Sequence, residues 1–312
     1  MSSIDLRGIF PPITTPFIDG KVAYDKLAFN IEKWSKTGLR GFVVLGSNGE
    51  YVYLSPAEKR KTVETVAQNT PDGMVVIAGT GCESTDETIA LTNDCASLGA
   101  HAALVITPHY YGGEMSETTL INHFTVVADN SAIPILLYSV PKFTHITVAA
   151  KVVAELSQHP NIIGIKESSG NVNLLGQYLN NMSDDFNVMI GTAGVLFGGL
   201  SIGCAGGVLA LANLAPQKCV QIFDYVKQGR FDEAKTLQLK MIPVNNAVTA
   251  TYGVPGLKAA MDMRGYFGGE PRLPLLPASD QIKSEIKAIL QQAELLKEDA
   301  NIINKEPINV RP

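Results

Sequence analysis

Eight short apolar segments alternate with stretches of helical character, and this rhythm constrains the fold more than any other feature. The segments recur at intervals of roughly one βαβ unit, about 30 residues. They cover residues 8–17, 41–45, 74–79, 102–106, 133–138, 162–166, 187–190 and 206–210. Because these segments are apolar throughout, they indicate strands covered on both faces, hence a parallel sheet. Eight such units predict an α/β protein with a (β/α)8 TIM barrel, and a doubly wound open sheet is the alternative.

The pattern changes after about residue 215, where the strand signal stops. The remaining periodic segments predict helices over residues 217–227, 231–244, 255–263 and 278–296. They are expected to form a C-terminal α-helical extension without a site of its own. We therefore predict a barrel catalytic domain over residues 1–224 and a helical extension over residues 225–312.

Composition narrows the class of protein. The 312 residues are 46% hydrophobic and 18% charged, with a formal net charge of -5, which favours neither nucleic acid nor an anionic membrane as a partner. The four cysteines and five histidines show no metal-ligand spacing, so no metal site is predicted. The chain begins without a secretory signal pattern and contains no apolar run near the ~18 residues of a membrane span, which predicts a cytoplasmic protein.

Lys166 stands at the carboxyl end of the sixth predicted strand. Lysine is rarely buried unless it has a partner or a function. One interpretation is a strand-end side chain whose ammonium group reaches solvent along an apolar surface. The other is an amine held in an apolar site, which disfavours the ammonium form and leaves a nucleophile able to form an imine with a carbonyl substrate.

Function in a barrel lies at the carboxyl ends of the strands. Tyr138 ends the fifth strand and should share the barrel mouth with Lys166. The loop of residues 46–50 has two glycines, which allow backbone N–H groups near Ser47 and Asn48 to converge on a carboxylate. The polar residues predicted at the carboxyl ends of the strands are Thr14, Thr15, Ser47, Asn48, Tyr110, Tyr111, Tyr138 and Lys166. Ser168 and Phe143 are further candidate substrate contacts.

A nicotinamide site is weighed as an alternative, because the segment from Gly79 to Ser84 follows a strand and precedes a helix. Its first glycines resemble a dinucleotide fingerprint, but the third glycine is missing. The next strand does not end in an acidic residue for a ribose, since it leads into Thr107 and Pro108. No cofactor is therefore expected.

Four motifs resemble the dihydrodipicolinate synthase/N-acetylneuraminate lyase family of Schiff-base aldolases over nearly the whole chain. They are Gly46-Ser-Asn-Gly-Glu50, Thr107-Pro-His-Tyr-Tyr111, Tyr138-Ser-Val-Pro141 and Gly164-Ile-Lys-Glu167. The resemblance implies a barrel with a C-terminal helical bundle, assembled as a homotetramer. It implies Lys166 as the imine lysine, Tyr138 as the proton relay, and Ser47 as the loop hydroxyl, with Asn48 beside it. Tyr110 is the implied interface tyrosine, and Tyr111 is the competing choice.

One position departs from the synthases of this family, which carry there an arginine that holds a substrate carboxylate. Here the residue is Phe143, which cannot make a bidentate ion pair. Together with Asn48 and the segment from Gly253 to Lys258, this departure makes the chain similar to 4-hydroxy-2-oxoglutarate and 3-deoxy-hexulosonate aldolases. The predicted reaction is cleavage of a 4-hydroxy-2-oxo acid to pyruvate and an aldehyde. The alternatives are a dihydrodipicolinate synthase, which condenses pyruvate with aspartate semialdehyde, and a non-catalytic binding protein.

Overall fold

The computed structural model describes residues 4–183 and 185–296. Its main feature is one sheet of eight parallel strands, which confirms the eight predicted strands. They are β1 Gly8–Phe10, β2 Gly41–Val44, β3 Val75–Gly79, β4 Ala102–Ile106, β5 Ile135–Ser139, β6 Ile162–Glu167, β7 Asn187–Ile190 and β8 Gly206–Val208. A two-stranded antiparallel hairpin, Phe17–Ile18 with Lys21–Val22, follows β1.

The strands close into a barrel. Neighbours in sequence pair from β2 to β8, and β8 pairs in parallel with β1. The last gap, between β1 and β2, is bridged just beyond the end of β1. There the Val43 N–H donates to the Pro11 carbonyl at 3.0 Å, and the Ile13 N–H donates to the Val43 carbonyl at 2.9 Å. The predicted TIM barrel is therefore confirmed, and the open-sheet alternative is wrong.

Helices surround the sheet and continue beyond it. Those between and after the strands are α1 Tyr24–Ser35, α2 Pro56–Asn69, α3 Thr85–Ser97, α4 Glu117–Asp129, α5 Pro141–Thr144, α6 Ala150–Leu156, α7 Val172–Asn181, α8 Leu196–Ser201 and α9 Pro216–Lys227. Local sequence explains several starts. At α2, Ser55 and Glu58 form a reciprocal capping box ahead of Pro56, and Ser84 caps α3 by accepting the Glu87 N–H.

Alternating strand residues build two apolar layers. One set faces inward and fills the barrel, including Phe10, Ile77, Leu104, Leu136 and Met189. The other set faces outward, where it packs under the helices in a larger core. Because both faces of each strand are covered, the strands are apolar throughout, as parallel barrel strands require.

The C-terminal helices are α10 Phe231–Asn246, α11 Gly253–Met263 and α12 Asp280–Gln292, with a π-helical turn at Ala247–Thr251. The predicted domain boundary after residue 224 remains a prediction, and it falls inside α9. Residues 297–312 of the predicted extension lie outside the described residues. Within the described part of the chain, no helix combines the length and apolar character needed to cross a membrane.

Candidate active site

Tyr138 and Lys166 form the centre of the site at the carboxyl end of the barrel. They are register partners on the neighbouring strands β5 and β6. The Lys166 Nζ lies over the Tyr138 ring, 3.9 Å from its centroid. Parallel pairing places both side chains on the inward face, because residues in register point to the same side of a sheet. The predicted convergence of these two side chains is therefore present in the fold.

Lys166 is buried, with only 3% of its surface exposed. The interpretation of a strand-end lysine that reaches solvent is therefore wrong. Within the described residues, its amine has neither a carboxylate partner nor a hydrogen-bond acceptor, and it lies against the face of the Tyr138 ring. A buried amine without a counter-ion, placed against an aromatic ring at the barrel mouth, is the arrangement expected of a lysine that reacts as a nucleophile.

The loop after β2 carries Ser47 and Asn48 in a single 3₁₀ turn, Ser47–Gly49. The Gly49 N–H donates to the Gly46 carbonyl at 2.9 Å, and the Thr15 hydroxyl donates to the Gly49 carbonyl at 2.7 Å. Ser47 and Asn48 are half-buried. Ser47 and Tyr138 line one small cavity, together with Leu45, Gly46, Tyr51, Gly79, Gly81, Leu104 and Ile106. The loop thus belongs to the same mouth as the β5–β6 pair.

Tyr51 is a residue of this cavity that the sequence analysis missed. Burial raises the pKa of its phenol to about 12, and the nearby Tyr138 acts in the same direction. Its hydroxyl has no hydrogen-bond partner among the described residues, which leaves it open to a bound molecule. Its position directly after the glycine-flanked loop is the signal that could have found it.

Gly81, part of the weak dinucleotide signature, has a structural explanation. A Cβ at this position would lie 2.6 Å from the backbone nitrogen of Ile106 on β4. Only glycine allows this close approach of two backbones at the barrel mouth. Gly79 and Gly81 of this segment line the same cavity as Tyr138.

Tyr110 and Tyr111 are on the loop after β4, and they are 77% and 70% exposed. Their rings pack edge to face with centroids 5.0 Å apart. Glu83 holds the loop from the neighbouring β3 side, because its Oε2 accepts the N–H groups of His109 and Tyr110, each at 2.9 Å. Two exposed aromatic rings on an anchored loop are suited to contact with another protein surface.

Phe143 is on the short helix α5, which begins two residues after the end of β5. Its ring is 51% exposed at the rim of the barrel. The neighbouring Lys142 is directed to the C-terminal extension, where its ammonium group donates to the Thr249 carbonyl at 2.9 Å. Lys142 is therefore anchored, and the exposed ring of Phe143 is the side chain of α5 that is available at the rim.

Ser168 follows β6 and lies against β7. Its Oγ is buried without a hydrogen-bond partner among the described residues. A Cβ on Gly191 would come within 1.9 Å of that oxygen, so glycine is required there. Glu167 is buried too, and burial raises the pKa of its carboxyl group, although its Oε1 accepts the Ser169 N–H at 2.7 Å. The unsatisfied Ser168 hydroxyl, two residues from Lys166, is consistent with its prediction as a substrate contact.

Another cavity lies at the opposite, amino end of the barrel, lined by residues that include Gly8, Arg40 and Met74. Barrel enzymes place their chemistry at the carboxyl ends of the strands, so this cavity is not the candidate site. No cluster of three or more His, Cys, Asp or Glu side chains suited to a metal ion occurs in the described residues.

The fold and the site together define a class: (β/α)8 barrel enzymes built around a buried lysine at the end of the sixth strand. The chain belongs to the Dihydrodipicolinate synthetase family, whose model matches residues 5–293. Enzymes of this family are pyruvate-dependent lyases and aldolases that use a lysine Schiff base. The predicted family and enzyme class are thus confirmed, and the alternative of a non-catalytic binding protein is not supported.

Curated relatives match over nearly their whole length. A protein of Methanothrix thermoacetophila named 4-hydroxy-tetrahydrodipicolinate synthase is 38% identical over 295 residues, which cover 94% of this chain and 99% of that protein. A protein of the same name from Thermodesulfovibrio yellowstonii is 33% identical over 294 residues, covering 93% and 99%.

Solved structures show the same fold. Dihydrodipicolinate synthase from Thermotoga maritima matches with a TM-score of 0.88 and 27% identity, covering 94% of this chain and all of that one. A prophage protein of E. coli K12, belonging to the dihydrodipicolinic acid synthase family and solved in complex with pyruvate, matches with a TM-score of 0.87 and 29% identity. That match covers 93% of this chain and 99% of the other.

Proposed function

We propose that Lys166 forms an imine with the 2-oxo carbon of pyruvate or of a longer 2-oxo acid. The observation that carries this assignment is its buried amine, which contacts the Tyr138 ring and has no counter-ion among the described residues. The neutral amine attacks the carbonyl carbon, and a proton delivered through Tyr138 lets the hydroxyl of the adduct leave as water, which gives a protonated imine. This imine accepts the electron pair of a breaking C3–C4 bond, so an enamine of pyruvate and a free aldehyde result. Protonation of the enamine at C3 and hydrolysis of the imine then release pyruvate.

Tyr138 transfers the protons in this proposal. In cleavage, its phenol removes the C4 hydroxyl proton directly or through water, and Ser47 and Tyr110 pass protons to and from it. The N–H groups near Ser47 and Asn48 hold the carboxylate of the 2-oxo acid, and the Ser168 hydroxyl adds a further contact. No step uses a metal or another cofactor. We therefore expect full activity after exhaustive EDTA treatment, and activity that returns only with added Zn²⁺ or Mg²⁺ would contradict this expectation.

The comparisons favour condensation as the overall reaction. The curated relatives are named 4-hydroxy-tetrahydrodipicolinate synthase, and the structural relatives include dihydrodipicolinate synthases. In this reaction, the pyruvate enamine on Lys166 would attack the aldehyde carbon of aspartate semialdehyde. The steps that convert pyruvate into this enamine are the last steps of cleavage run in the opposite direction. On the weight of these relatives, condensation is the first reaction to test.

Cleavage of a 4-hydroxy-2-oxo acid remains the second candidate, because of one observation at the rim. Phe143 occupies the position where the resemblance implies an arginine in the synthases, and its ring is half-exposed. An aromatic ring cannot hold a second carboxylate as a guanidinium group does. This position therefore disfavours a partner aldehyde that carries a carboxylate and favours an uncharged one, such as the aldehyde released from a 3-deoxy-hexulosonate.

One set of assays distinguishes the two candidates. The purified protein is given pyruvate with aspartate semialdehyde, and separately 4-hydroxy-2-oxoglutarate and several 3-deoxy-hexulosonates, and kcat/KM is compared. Cyclic product from the first pair, with little pyruvate released from the others, would establish the synthase. Pyruvate release from one 4-hydroxy-2-oxo acid, with no cyclic product, would establish the aldolase. Lack of turnover in every assay, together with no imine on Lys166, would refute the proposed function.

We also propose that the protein is a homo-oligomer, a homotetramer by its resemblance to the family. The exposed Tyr110–Tyr111 pair supports this proposal, since one of these rings would reach the site of a second subunit. Sedimentation equilibrium tests the assembly. Kinetics of Tyr110→Phe and Tyr111→Phe show which hydroxyl takes part, because only that variant should lose kcat.

A further inference from the structure

A second lysine, Lys258 on α11, is also buried, but it has a partner. Its Nζ lies 2.6 Å from the Oε1 of Glu50, and both side chains are only 1% exposed. Burial lowers the pKa of Lys258, while Glu50 opposes that effect. Glu50 is the residue that immediately follows the Ser47–Gly49 turn of the active-site loop. The ion pair therefore joins the C-terminal extension directly to that loop.

Further contacts fix the pair from several sides. The Arg272 N–H donates to the Oε2 of Glu50 at 2.8 Å, and the Lys258 Nζ donates to the Glu270 carbonyl at 2.9 Å. The same Nζ lies 4.5 Å from the centre of the Phe17 ring. Both carboxylate oxygens of Glu50 are thus held by parts of the chain that lie beyond the barrel strands.

The backbone of Glu50 explains why such anchoring is needed. Its φ is +54°, in the left-handed region that residues other than glycine, asparagine and aspartate rarely adopt. Its N–H donates to the Ser47 carbonyl at 3.2 Å, so this conformation ends the turn that carries Ser47 and Asn48. A strained backbone persists only where surrounding contacts hold it in place, and such residues cluster at functional sites.

Stability alone does not explain a buried ion pair. Removing two charges from water costs free energy that their attraction returns only in part, and apolar replacements are often equally stable. A pair placed behind the active-site loop instead restricts the loop to one arrangement. Small displacements at a catalytic site have large kinetic effects, since an error of about 1 Å can cost ~10²-fold in rate.

We propose that Glu50 and Lys258 are positioning residues of the active site. Their ion pair holds Glu50 in its left-handed conformation and thereby sets the N–H groups and the hydroxyl that Ser47 and Asn48 present to the substrate carboxylate. In this proposal, the C-terminal extension helps to position the active-site loop. This inference rests on the proposed function and adds a role that the imine chemistry by itself does not require.

The test uses variants of the full chain that separate position from charge burial. Glu50→Gln combined with Lys258→Met removes both charges, so no lone charge remains buried. Glu50→Asp keeps both charges but shortens the side chain that connects them to the loop. Arg264→Met is the control, because Arg264 also joins the extension to the barrel through a charged side chain, but elsewhere: its Nε donates to the Leu214 carbonyl at 3.2 Å.

The measurements are the thermal unfolding midpoint, and KM and kcat for the 2-oxo acid. We expect the double variant to unfold close to the wild-type temperature, with KM raised and kcat/KM reduced by up to ~10²-fold. Glu50→Asp should show the same kinetic change with a lower midpoint, because its shorter side chain leaves the buried Lys258 poorly paired. Arg264→Met should lower the midpoint without raising KM. Wild-type KM and kcat in both Glu50 variants, or a kinetic loss in Arg264→Met as large as theirs, would overturn the inference.

Borohydride trapping of pyruvate distinguishes failure of this inference from failure of the proposed function. If the wild-type protein forms no reducible imine, the proposed function falls, and the positioning role falls with it. If the wild-type protein is labelled on Lys166 and the Glu50 variants keep wild-type kinetics, only the positioning role is refuted. Labelled variants with raised KM support both.

Discussion

Lys166 and Tyr138 meet because two neighbouring parallel strands end in register, with the amine 3.9 Å from the centre of the phenol ring. The lysine has no carboxylate near it among the described residues, whereas the other buried lysine, Lys258, is paired with Glu50. The two buried lysines therefore differ in their contacts. Lys258 is held in an ion pair, whereas the Lys166 amine lies against an aromatic ring at the barrel mouth and is the one available to react.

This difference predicts where a pyruvate imine forms. Incubation with pyruvate and borohydride should add one reduced pyruvate per chain, on the peptide that contains Lys166. Lys166→Arg should be inactive, because guanidinium stays protonated and cannot attack a carbonyl. Peptide mass spectrometry makes the measurement, and Lys258 and Lys142 serve as internal controls. Labelling on either control lysine, or none at all, would refute the assignment.

Tyr138→Phe removes only a hydroxyl and keeps the ring that Lys166 contacts. If this hydroxyl moves protons in the transition state, kcat should fall by roughly 10²–10⁴ while KM changes little. Tyr178→Phe is the control, since its buried hydroxyl donates to the Val148 carbonyl at 2.6 Å on the outer side of the sheet. That variant should lose about 1 kcal/mol of stability and keep its kcat. A nearly normal kcat in Tyr138→Phe would show that Tyr138 acts only in packing.

Phe143→Arg tests the choice of partner aldehyde. A guanidinium group at the rim can hold a second carboxylate, so kcat/KM should shift toward substrates that carry one. Imine formation with pyruvate should be unaffected, because Phe143 is on the helix after β5 and is not part of the Tyr138–Lys166 pair. Phe143→Leu keeps an apolar side chain and should retain the original order of substrates. An unchanged order in Phe143→Arg would show that specificity is set elsewhere in the barrel mouth.

Gly191→Ala should destabilise the protein. The added Cβ would lie 1.9 Å from the Ser168 Oγ and 2.5 Å from the Glu167 carbonyl oxygen, so the end of β6 must move. Overpacking of this kind typically costs about 1–3 kcal/mol. Gly198→Ala in α8 is the matched control, since its nearest neighbour would be the Val172 Cγ2 at an ordinary 3.6 Å. Chemical denaturation measures both variants, and equal stability would contradict the predicted clash.

Much of the fold could be predicted from sequence because its signals are local. Each strand is a short apolar run, and each helix start depends on a few adjacent residues, as at Ser55 with Glu58. The order of eight such units leaves few parallel arrangements. Lys166 and Tyr138 could be placed at the mouth for the same reason, because each is at the end of an apolar strand.

Other features depended on contacts between distant parts of the chain, and only the tertiary structure decided them. Closure of the barrel rests on hydrogen bonds between Val43 and the residues just after β1, which no periodicity reveals. Tyr51 was missed because its place in the cavity depends on how the loop turns. Periodicity also cannot show which charged side chains will pair in the core. Glu50 and Lys258 are in separate local patterns, and only folding brings them together. It also leaves Lys166 without a charged partner among residues 4–183 and 185–296, since burial and charge pairing are properties of the packed chain.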